Sequence, residues 1–370
     1  MRLMVSAGAT GGGINPALAV LQALGDKPEA VLWVGSVGGM ETDLVSRAGV
    51  PFKSIPAAGL HGKGFKAVWG VWQLVRGYFA ARKMVRDFKP DVLFFTGGYV
   101  AIPTGLAGRK VPTLLCLPDI EPALALRTLA RFADKIAVPV EESRQYFDPG
   151  KDVEVVGYPT RPDLKPMPRE AAAAVFDLDP AKPTLMVMGG SLGARSINQA
   201  LIAVLPELLI QMQVIHLTGE LTWPEVQAFR ETLGAEQAQH YRPYSFLHED
   251  IGAAFSAADV IVSRAGASIL GELPTFGVPA VLVPYPHAWQ YQKVNAEYLT
   301  QRGAAVIIRD EDLGEKLLPT IQRLMQLEPE TTQQMRTAMQ SLAAPGAAER
   351  IAEILHELAF SGKNLRKGTR

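Results

Sequence analysis

Thr184-Leu185-Met186-Val187-Met188-Gly189-Gly190-Ser191-Leu192-Gly193-Ala194-Arg195 is the stretch that decides the fold. An uncharged run of five residues suits one buried strand, a glycine-rich turn follows, and a helical pattern then runs from about Asn198 to Leu209. A continuous apolar strand, a small-residue turn and a helix open a parallel α/β sheet, because a strand covered on both faces has no polar side to show. The same grammar opens the chain, with Leu3-Met4-Val5, then Ser6-Ala7-Gly8-Ala9-Thr10-Gly11-Gly12-Gly13, then a helix expected from about Pro16 to Leu24. Two such openings predict an α/β protein with two Rossmann-like, doubly wound parallel-sheet domains.

The alternation continues outward from these openings. VLWVG (31–35), DVLFFTGG (91–98), TLLCL (113–117) and KIAVP (135–139) read as buried strands in the first half. VIHLTG (214–219), DVIVSR (259–264), PAVLVP (279–284) and AAVIIR (304–309) read the same way in the second. The run Gly157-Tyr158-Pro159-Thr160-Arg161-Pro162-Asp163-Leu164-Lys165-Pro166 interrupts both periodicities, since proline fixes its own φ and lacks an amide donor. The expected domains are 1–160 and 161–345. A C-terminal segment, 346–370, should form a helix from about Gly346 to Phe360 that packs back on the first domain. The polar, basic tail SGKNLRKGTR then reads as disordered.

At 370 residues the chain exceeds the roughly 250–300 at which single cores stop growing, which again favours two domains. Its 37 Lys and Arg balance 37 Asp and Glu, so nucleic-acid binding by bulk charge is excluded. One cysteine, Cys116, excludes an internal disulfide and a thiolate metal cage, and suits a reducing cytoplasm. Leu3 to Val5 is too short for a signal-peptide core, and no stretch approaches the roughly 20 apolar residues that span a bilayer, so a soluble or peripheral protein is expected.

Glycine loops that open helices present backbone N–H groups at the positive end of the helix dipole and suit phosphate or another anion. Neither loop has GxGxxG or GxxxxGK[ST] spacing, so a dinucleotide oxidoreductase and a P-loop NTPase both lose rank. The most informative stretch is Ser263-Arg264-Ala265-Gly266-Ala267-Ser268-Ile269-Leu270-Gly271-Glu272-Leu273. A strand ends at Arg264, a small-residue turn starts a helix, and Glu272 lies about two turns into it, where its carboxylate can accept two sugar hydroxyls; a solvated helix carboxylate is the plainer alternative. In Pro284-Tyr285-Pro286-His287-Ala288-Trp289-Gln290-Tyr291-Gln292-Lys293-Val294-Asn295-Ala296, Gln292 and Asn295 share a helical face that could hold a polar ring or merely carry surface amides.

Taken together, these motifs resemble the MurG family of glycosyltransferases. The resemblance is collinear over nearly the whole chain. It includes Asn15-Pro16-Ala17-Leu18-Ala19 after the first glycine loop, Gly97-Gly98-Tyr99, Gly157-Tyr158-Pro159-Thr160-Arg161, the loop at 189–195 and the two stretches just quoted. It implies a GT-B fold, with donor nucleotide on the C-terminal domain and acceptor on the N-terminal, membrane-associating domain across a cleft. It implies transfer of N-acetylglucosamine (GlcNAc) from UDP-GlcNAc to the C4 hydroxyl of N-acetylmuramic acid (MurNAc) in lipid I, an undecaprenyl-linked acceptor. The product is lipid II, for peptidoglycan.

Carried over by position, Thr10, Gly11 and Gly12 would approach the donor diphosphate and sugar, and Arg161 and Ser191 would bind phosphate. Phe246 and Leu247 match the site where backbone reads the uracil edge; Arg264, Ala267, Ser268 and Ile269 line the nucleotide, and Glu272 takes the ribose. Tyr291 and Gln292 match the readers of the GlcNAc hydroxyls. The reaction would be a single inverting displacement, with helix N-termini and Arg161 absorbing diphosphate charge in place of a metal. No cofactor is implied, UDP-GlcNAc being a substrate. Asp177-Leu178-Asp179 matches a DxD metal motif only superficially and reads as a turn before Pro180.

Three positions depart from the family pattern. Gly13 stands where histidine is usual, Cys116-Leu117-Pro118-Asp119 where His-Glu-Gln-Asn is usual, and Leu192 where glutamine is usual. The donor half of the pattern is the better kept. Asp119 becomes the candidate base, since a partly desolvated carboxylate can be tuned toward working pH; a loop aspartate, or a late proton loss with no strong base, is the alternative.

Residues 63–89 carry a separate clue. At 100° per residue, Phe65, Val68, Trp69, Trp72, Val75 and Phe79 fall on one arc, and Ala67, Val71, Leu74 and Tyr78 on another. With Lys63, Lys66, Arg76, Arg82, Lys83 and Arg86 around them, Phe65, Trp69, Trp72 and Phe79 fit a helix lying on an anionic bilayer, peripheral on the cytoplasmic face of the cell membrane. Burial of both arcs is the competing reading, and Gly70 and Gly77 lead to the expectation of a break in the helix. Two other functions stay open: a UDP-sugar transferase with another lipid acceptor or a UDP-GlcNAc epimerase of the same fold, and a non-catalytic relative that binds nucleotide sugar or membrane.

Overall fold

The computed structural model describes residues 1–7, 11–39, 41–57, 65–190, 193–326 and 328–367; at 11, 65–69, 71, 288–290 and 362–367 it describes backbone alone. The chain divides into two compact units, the first made of Met1–Pro162 with Pro345–Arg370, the second of Asp163–Ala344. Arg161 thus falls in the first unit, not in the second as the sequence placed it.

In the first unit seven strands form one sheet: β1 (Arg2–Ser6), β2 (Ala30–Ser36), β3 (Phe52–Ile55), β4 (Val92–Phe95), β5 (Thr113–Cys116), β6 (Lys135–Val138) and β7 (Val153–Val155). Their order is β3-β2-β1-β4-β5-β6-β7, and every pairing is parallel. The described helices are α1 (Gly11–Leu24), α2 (Glu41–Arg47), α3 (Phe65–Phe88), α4 (Ala101–Ala107) and α5 (Leu124–Ala130). The second unit repeats the plan with β8 (Thr184–Met188), β9 (Gln213–Leu217), β10 (Tyr241–Tyr244), β11 (Val260–Ser263), β12 (Ala280–Leu282) and β13 (Ala305–Ile307), ordered β10-β9-β8-β11-β12-β13 and parallel throughout. Its helices are α6 (Arg169–Val175), α7 (Arg195–Gln211), α8 (Trp223–Arg230), α9 (Ala235–Ala238), α10 (Ile251–Ala257), α11 (Ile269–Phe276), α12 (Trp289–Gln301), α13 (Leu313–Met325) and α14 (Pro329–Gln340). The last helix, α15 (Ala347–Lys367), belongs to the first unit.

The central strands bury both faces. Leu3, Val5, Trp33 and Phe94 point into a core shared with α1 and α15, while Met4, Val34, Leu93 and Phe95 point into one shared with Ala81 of α3, Ala101 of α4 and Leu126 of α5. The side-chain period of two along a strand sends neighbours to opposite faces. In α15, Ile351, Ile354, Leu355 and Ala359 pack with Ala17, Val20 and Leu24 of α1. Arg350 clamps the same helix to β7, its Nε and Nη2 donating to the Glu154 carboxylate at 2.6 and 3.2 Å. That guanidinium holds the Glu154 carboxyl below its usual range.

The differences from the sequence reading have physical causes. The three strands it missed, β3, β7 and β10, are all sheet edges. Edge strands are half exposed and lack the continuous apolar run, and an edge tolerates the Pro243 of β10. Helix α1 begins at Gly11 rather than near Pro16, which sits inside it. Helix α3 runs unbroken through Gly70 and Gly77, against the expected break. A Cβ at Gly77 would collide with the Pro56 carbonyl, so the glycine marks a close approach of helix to loop. Helix α15 continues to Lys367, so the tail read as disordered is helical over 361–367. Asp177 does lie in a turn, at φ 52°.

Candidate active site

Each sheet reverses winding direction between its first and fourth strands, β1 and β4 in one unit and β8 and β11 in the other. In doubly wound sheets the loops leaving the carboxyl ends of these two strands part to opposite faces and open a crevice. The candidate donor residues lie at these ends in the second unit.

After β8 the chain turns through Gly190 at φ 83° and Gly193 at φ 77°, and the Gly193 N–H donates to the Gly190 carbonyl at 2.9 Å. A Cβ on Gly189 would strike the backbone of Gly193 and Ala194, and one on Gly193 would strike the Thr218 carbonyl. Only glycine closes this turn, which delivers the chain to α7 with Ala194 at its cap and no side-chain acceptor there. The first-turn amides are thus left for an anion. Ser191 lies outside the described residues.

A buried polar chain supports the turn. Asn198 Nδ2 donates to the Thr218 carbonyl at 2.7 Å and to Thr222 Oγ1 at 2.6 Å, while its Oδ1 lies 3.0 Å from His216 Nε2. His216 Nδ1 in turn lies 2.7 Å from the Tyr241 hydroxyl. Burial pushes the His216 pKa down to about 3 and raises that of Tyr241, so the chain is neutral at working pH.

After β11, Ala267 and Ile269 are buried and Ser268 is half buried at the start of α11. Glu272 is half buried in the first turn of that helix rather than two turns along it, because α11 begins only at Ile269, and its N–H donates to the Ser268 carbonyl at 2.8 Å. Arg264 sits at the end of β11, and its guanidinium reaches protein groups: Nη2 donates to Ser196 Oγ at 2.7 Å, and Nη1 to the Val283 carbonyl at 3.2 Å and to the Asp310 carboxylate. Tyr291 and Gln292 are half buried on α12. Gln292 Oε1 accepts the Tyr285 N–H at 2.8 Å, and Asn295 Nδ2 donates to the Ala265 carbonyl at 3.2 Å, tying α12 to the turn after β11. Beyond β10, Phe246 is exposed with its ring 4.6 Å from that of His248, and Leu247 is half buried. The segments after β10, β11 and β12 of this unit, with the starts of α11 and α12, therefore carry Phe246, Leu247, Arg264, Ala267, Ser268, Ile269, Glu272, Tyr291 and Gln292.

In the first unit Gly11 and Gly12 are the first residues of α1, and Thr10 lies outside the described residues. Trp33 Nε1 donates to the Ala7 carbonyl at 3.1 Å, and Thr96 Oγ1 to the Gly13 carbonyl at 2.5 Å. Past the switch strand β4, Gly97 and Gly98 take φ of 136° and 83°. Asp119 is half buried just beyond β5, and Arg161 is half buried near the end of the unit's first segment. Cys116 is fully buried and its thiol is pushed up to about 12, which leaves it an inert core residue. Among the described residues no group of three His, Cys, Asp or Glu could hold a metal ion.

Helix α3 shows which arc is covered. Trp72, Val75 and Phe79 are exposed, Trp72 at 53 % and Phe79 at 62 %, with Arg76, Arg82, Lys83 and Arg86 exposed beside them. The Arg76 guanidinium lies 4.6 Å from the Trp72 ring centre. Gly77 and Ala81 are buried on the other side. Phe65 and Trp69 belong to the helix, with side chains outside the description. Among the described residues no helix is long and apolar enough to cross a membrane.

Sequence reasoning missed Ser196, Asp310, Asn198 and His216. Their partners lie 18 to 114 residues away, and no local spacing signals such contacts.

Comparison with known proteins agrees with the two-domain fold. Residues 3–138 match the glycosyltransferase family 28 N-terminal domain, and residues 184–351 match its C-terminal domain. A UDP-N-acetylglucosamine–N-acetylmuramyl-(pentapeptide) pyrophosphoryl-undecaprenol N-acetylglucosamine transferase of Desulforamulus reducens is 37 % identical over 97 % of this chain and 99 % of its own. The protein of that name from Roseiflexus is 38 % identical over 97 % of this chain and 95 % of its own. The crystal structure of Acinetobacter baumannii MurG superposes with a TM-score of 0.74 at 27 % identity, covering 96 % of this chain and 99 % of that one. A UDP-GlcNAc 2-epimerase from Neisseria meningitidis shares the fold alone, with a TM-score of 0.66 at 13 % identity over 96 % of this chain and 100 % of its own. With both halves of the family pattern in order and relatives this similar along nearly its whole length, the chain belongs to glycosyltransferase family 28, within the MurG family.

Proposed function

We infer that the chain transfers N-acetylglucosamine from UDP-GlcNAc to the C4 hydroxyl of lipid-linked MurNAc-pentapeptide, with inversion at the anomeric carbon. The observation that carries the reading is the second unit's switch point. There an uncapped helix start after a glycine-only turn, the Glu272 carboxylate and the Gln292 amide provide anion, ribose and sugar recognition within one sheet edge. Its chemistry follows from these parts. The α7 amides hold the diphosphate and take up the charge that develops as the glycosidic C–O bond breaks. Glu272 accepts from the ribose hydroxyls, Phe246 and Leu247 offer backbone to the uracil edge, and Tyr291 and Gln292 orient the sugar. As the acceptor hydroxyl oxygen bonds to the anomeric carbon, the electron pair of the breaking bond leaves on the β-phosphate of UDP. The hydroxyl proton passes to Asp119, the candidate base. No metal is assigned a role.

The exposed aromatic and basic face of α3 favours a lipid acceptor over the soluble epimerase substrate. Its aromatic rings suit the headgroup boundary and its cations an anionic leaflet, so we place the protein peripherally on the cytoplasmic face of the membrane. The decisive experiment measures radiolabelled GlcNAc transfer to a lipid I analogue, with and without EDTA, for wild type and Asp119→Asn. Turnover that survives EDTA and fails in the variant supports the assignment. A wild type that binds UDP-GlcNAc yet transfers nothing would overturn it.

A further inference from the structure

We infer that Arg264 is a positioning residue that sets the spacing between the diphosphate-facing start of α7 and the sugar-reading helix α12, rather than a ligand of the donor; this rests on the donor-site reading above. The side chain is only 10 % exposed and Asp310 beside it 20 %. Ser196, the second residue of α7, receives a guanidinium hydrogen bond at 2.7 Å and itself donates to Asp310 Oδ1 at 2.8 Å, closing a triangle of Arg264, Ser196 and Asp310. A third bond goes to the carbonyl of Val283, just past β12, and the guanidinium carbon lies 5.3 Å from the centre of the Tyr285 ring. The Tyr285 N–H then fixes Gln292 Oε1 at 2.8 Å, which leaves the Gln292 amide nitrogen as the donor to a ligand.

One planar cation thus joins the carboxyl ends of β11, β12 and β13 to the first turn of α7. Its charge is spent on Asp310 inside the protein, which fits a group that holds loops in register better than one that meets a diphosphate. A lysine in its place would keep the charge and lose the fork that reaches three loops at once.

The two roles give opposite results when the carboxylate is removed. For a positioning residue, Asp310→Asn should weaken UDP-GlcNAc binding as much as Arg264→Gln, about 30-fold each, with the double variant no worse than either, as coupled partners behave. If Arg264 were a diphosphate ligand, Asp310→Asn would release the guanidinium and leave donor binding as tight as wild type or tighter. Calorimetric titration of UDP-GlcNAc into wild type and the three variants reads this directly. Arg264→Lys should restore the melting temperature without restoring donor affinity, and full recovery of affinity would overturn the inference. Should Arg264→Gln not fold, Ser196→Ala keeps the ion pair and should raise KM for UDP-GlcNAc about 10- to 100-fold at unchanged kcat, since the hydroxyl's two hydrogen bonds to charged partners, from Arg264 and to Asp310, are lost; an unchanged KM breaks the link to α7. A wild type that binds no UDP-GlcNAc overturns the donor reading itself, an outcome separate from a tight-binding Asp310→Asn.

Discussion

The two units share a sheet wound 3-2-1-4-5-6, yet they use its switch point differently. In the second unit the loops are cross-braced by Arg264, Asn198 and Asn295, and every brace ends on a backbone carbonyl or on a side chain near the site. In the first unit the described contacts beside the glycine segment are those of Trp33 to the Ala7 carbonyl and Thr96 to the Gly13 carbonyl, and the residues proposed for the acceptor are Asp119 and a broad exposed helix face. Equal topology therefore carries unequal tasks. A small, polar, charged donor calls for fixed loops, whereas a long lipid-linked acceptor calls for a surface.

That division is tested hardest by Asp119, the proposed base in the first unit, where the largest effect is expected. Asp119→Asn should lower kcat by roughly 100- to 10,000-fold while leaving the dissociation constant of UDP-GlcNAc within a factor of about three, the range typical of general-base loss. Steady-state kinetics with titration calorimetry checks it, and a shift in donor affinity instead would blur the boundary between the units.

Next comes Glu272 of the second unit, proposed to hold the ribose. Glu272→Ala should weaken UDP about 100-fold, because hydrogen bonds to a charged acceptor contribute roughly 1.5–3 kcal/mol each. Unchanged UDP affinity would remove the assigned role.

The lipid face should give a smaller change and no donor effect. Trp72→Ala with Phe79→Ala should reduce partition onto anionic vesicles by about 30-fold, since each exposed ring inserts only part of its surface, at about 25 cal/mol per Å². Vesicle co-sedimentation beside UDP titration tests both halves of the claim, and equal pelleting of the double variant would count against the face.

The smallest effect at neutral pH concerns His216. The unfolded chain takes up a proton near pH 6.5 and the folded one only near 3, so this contribution is whole above 6.5 and drains as pH falls between those values. The slope is about 1.4 kcal/mol per pH unit for one proton. Urea midpoints at pH 7.5 and 5.5 should therefore converge in His216→Gln relative to wild type, and parallel pH dependence in both would sink the idea.

The sequence made the sheets legible wherever a strand was central. β1, β2, β4, β8, β9 and β11 are apolar on both faces and stand out as runs, whereas the short edges β3, β7 and β10 do not. Glycine positions were readable as a loop but not as a geometry; Gly77 suggested a break and instead permits a contact. Of the candidate site, residues in contiguous motifs such as 263–273 were visible as a group. The braces were not, because Arg264 meets Ser196 across 68 residues and Asp310 across 46, and only folding brings them together.

The seat of α3 on the Pro56 carbonyl has a mechanical result. With no room for a methyl group at Gly77, the helix lies directly on the Pro56 carbonyl and cannot press closer to it. The exposed rings of Trp72 and Phe79 on the far side of the helix are thereby carried at a set height above that loop, so a load on them passes into the fold of the first unit.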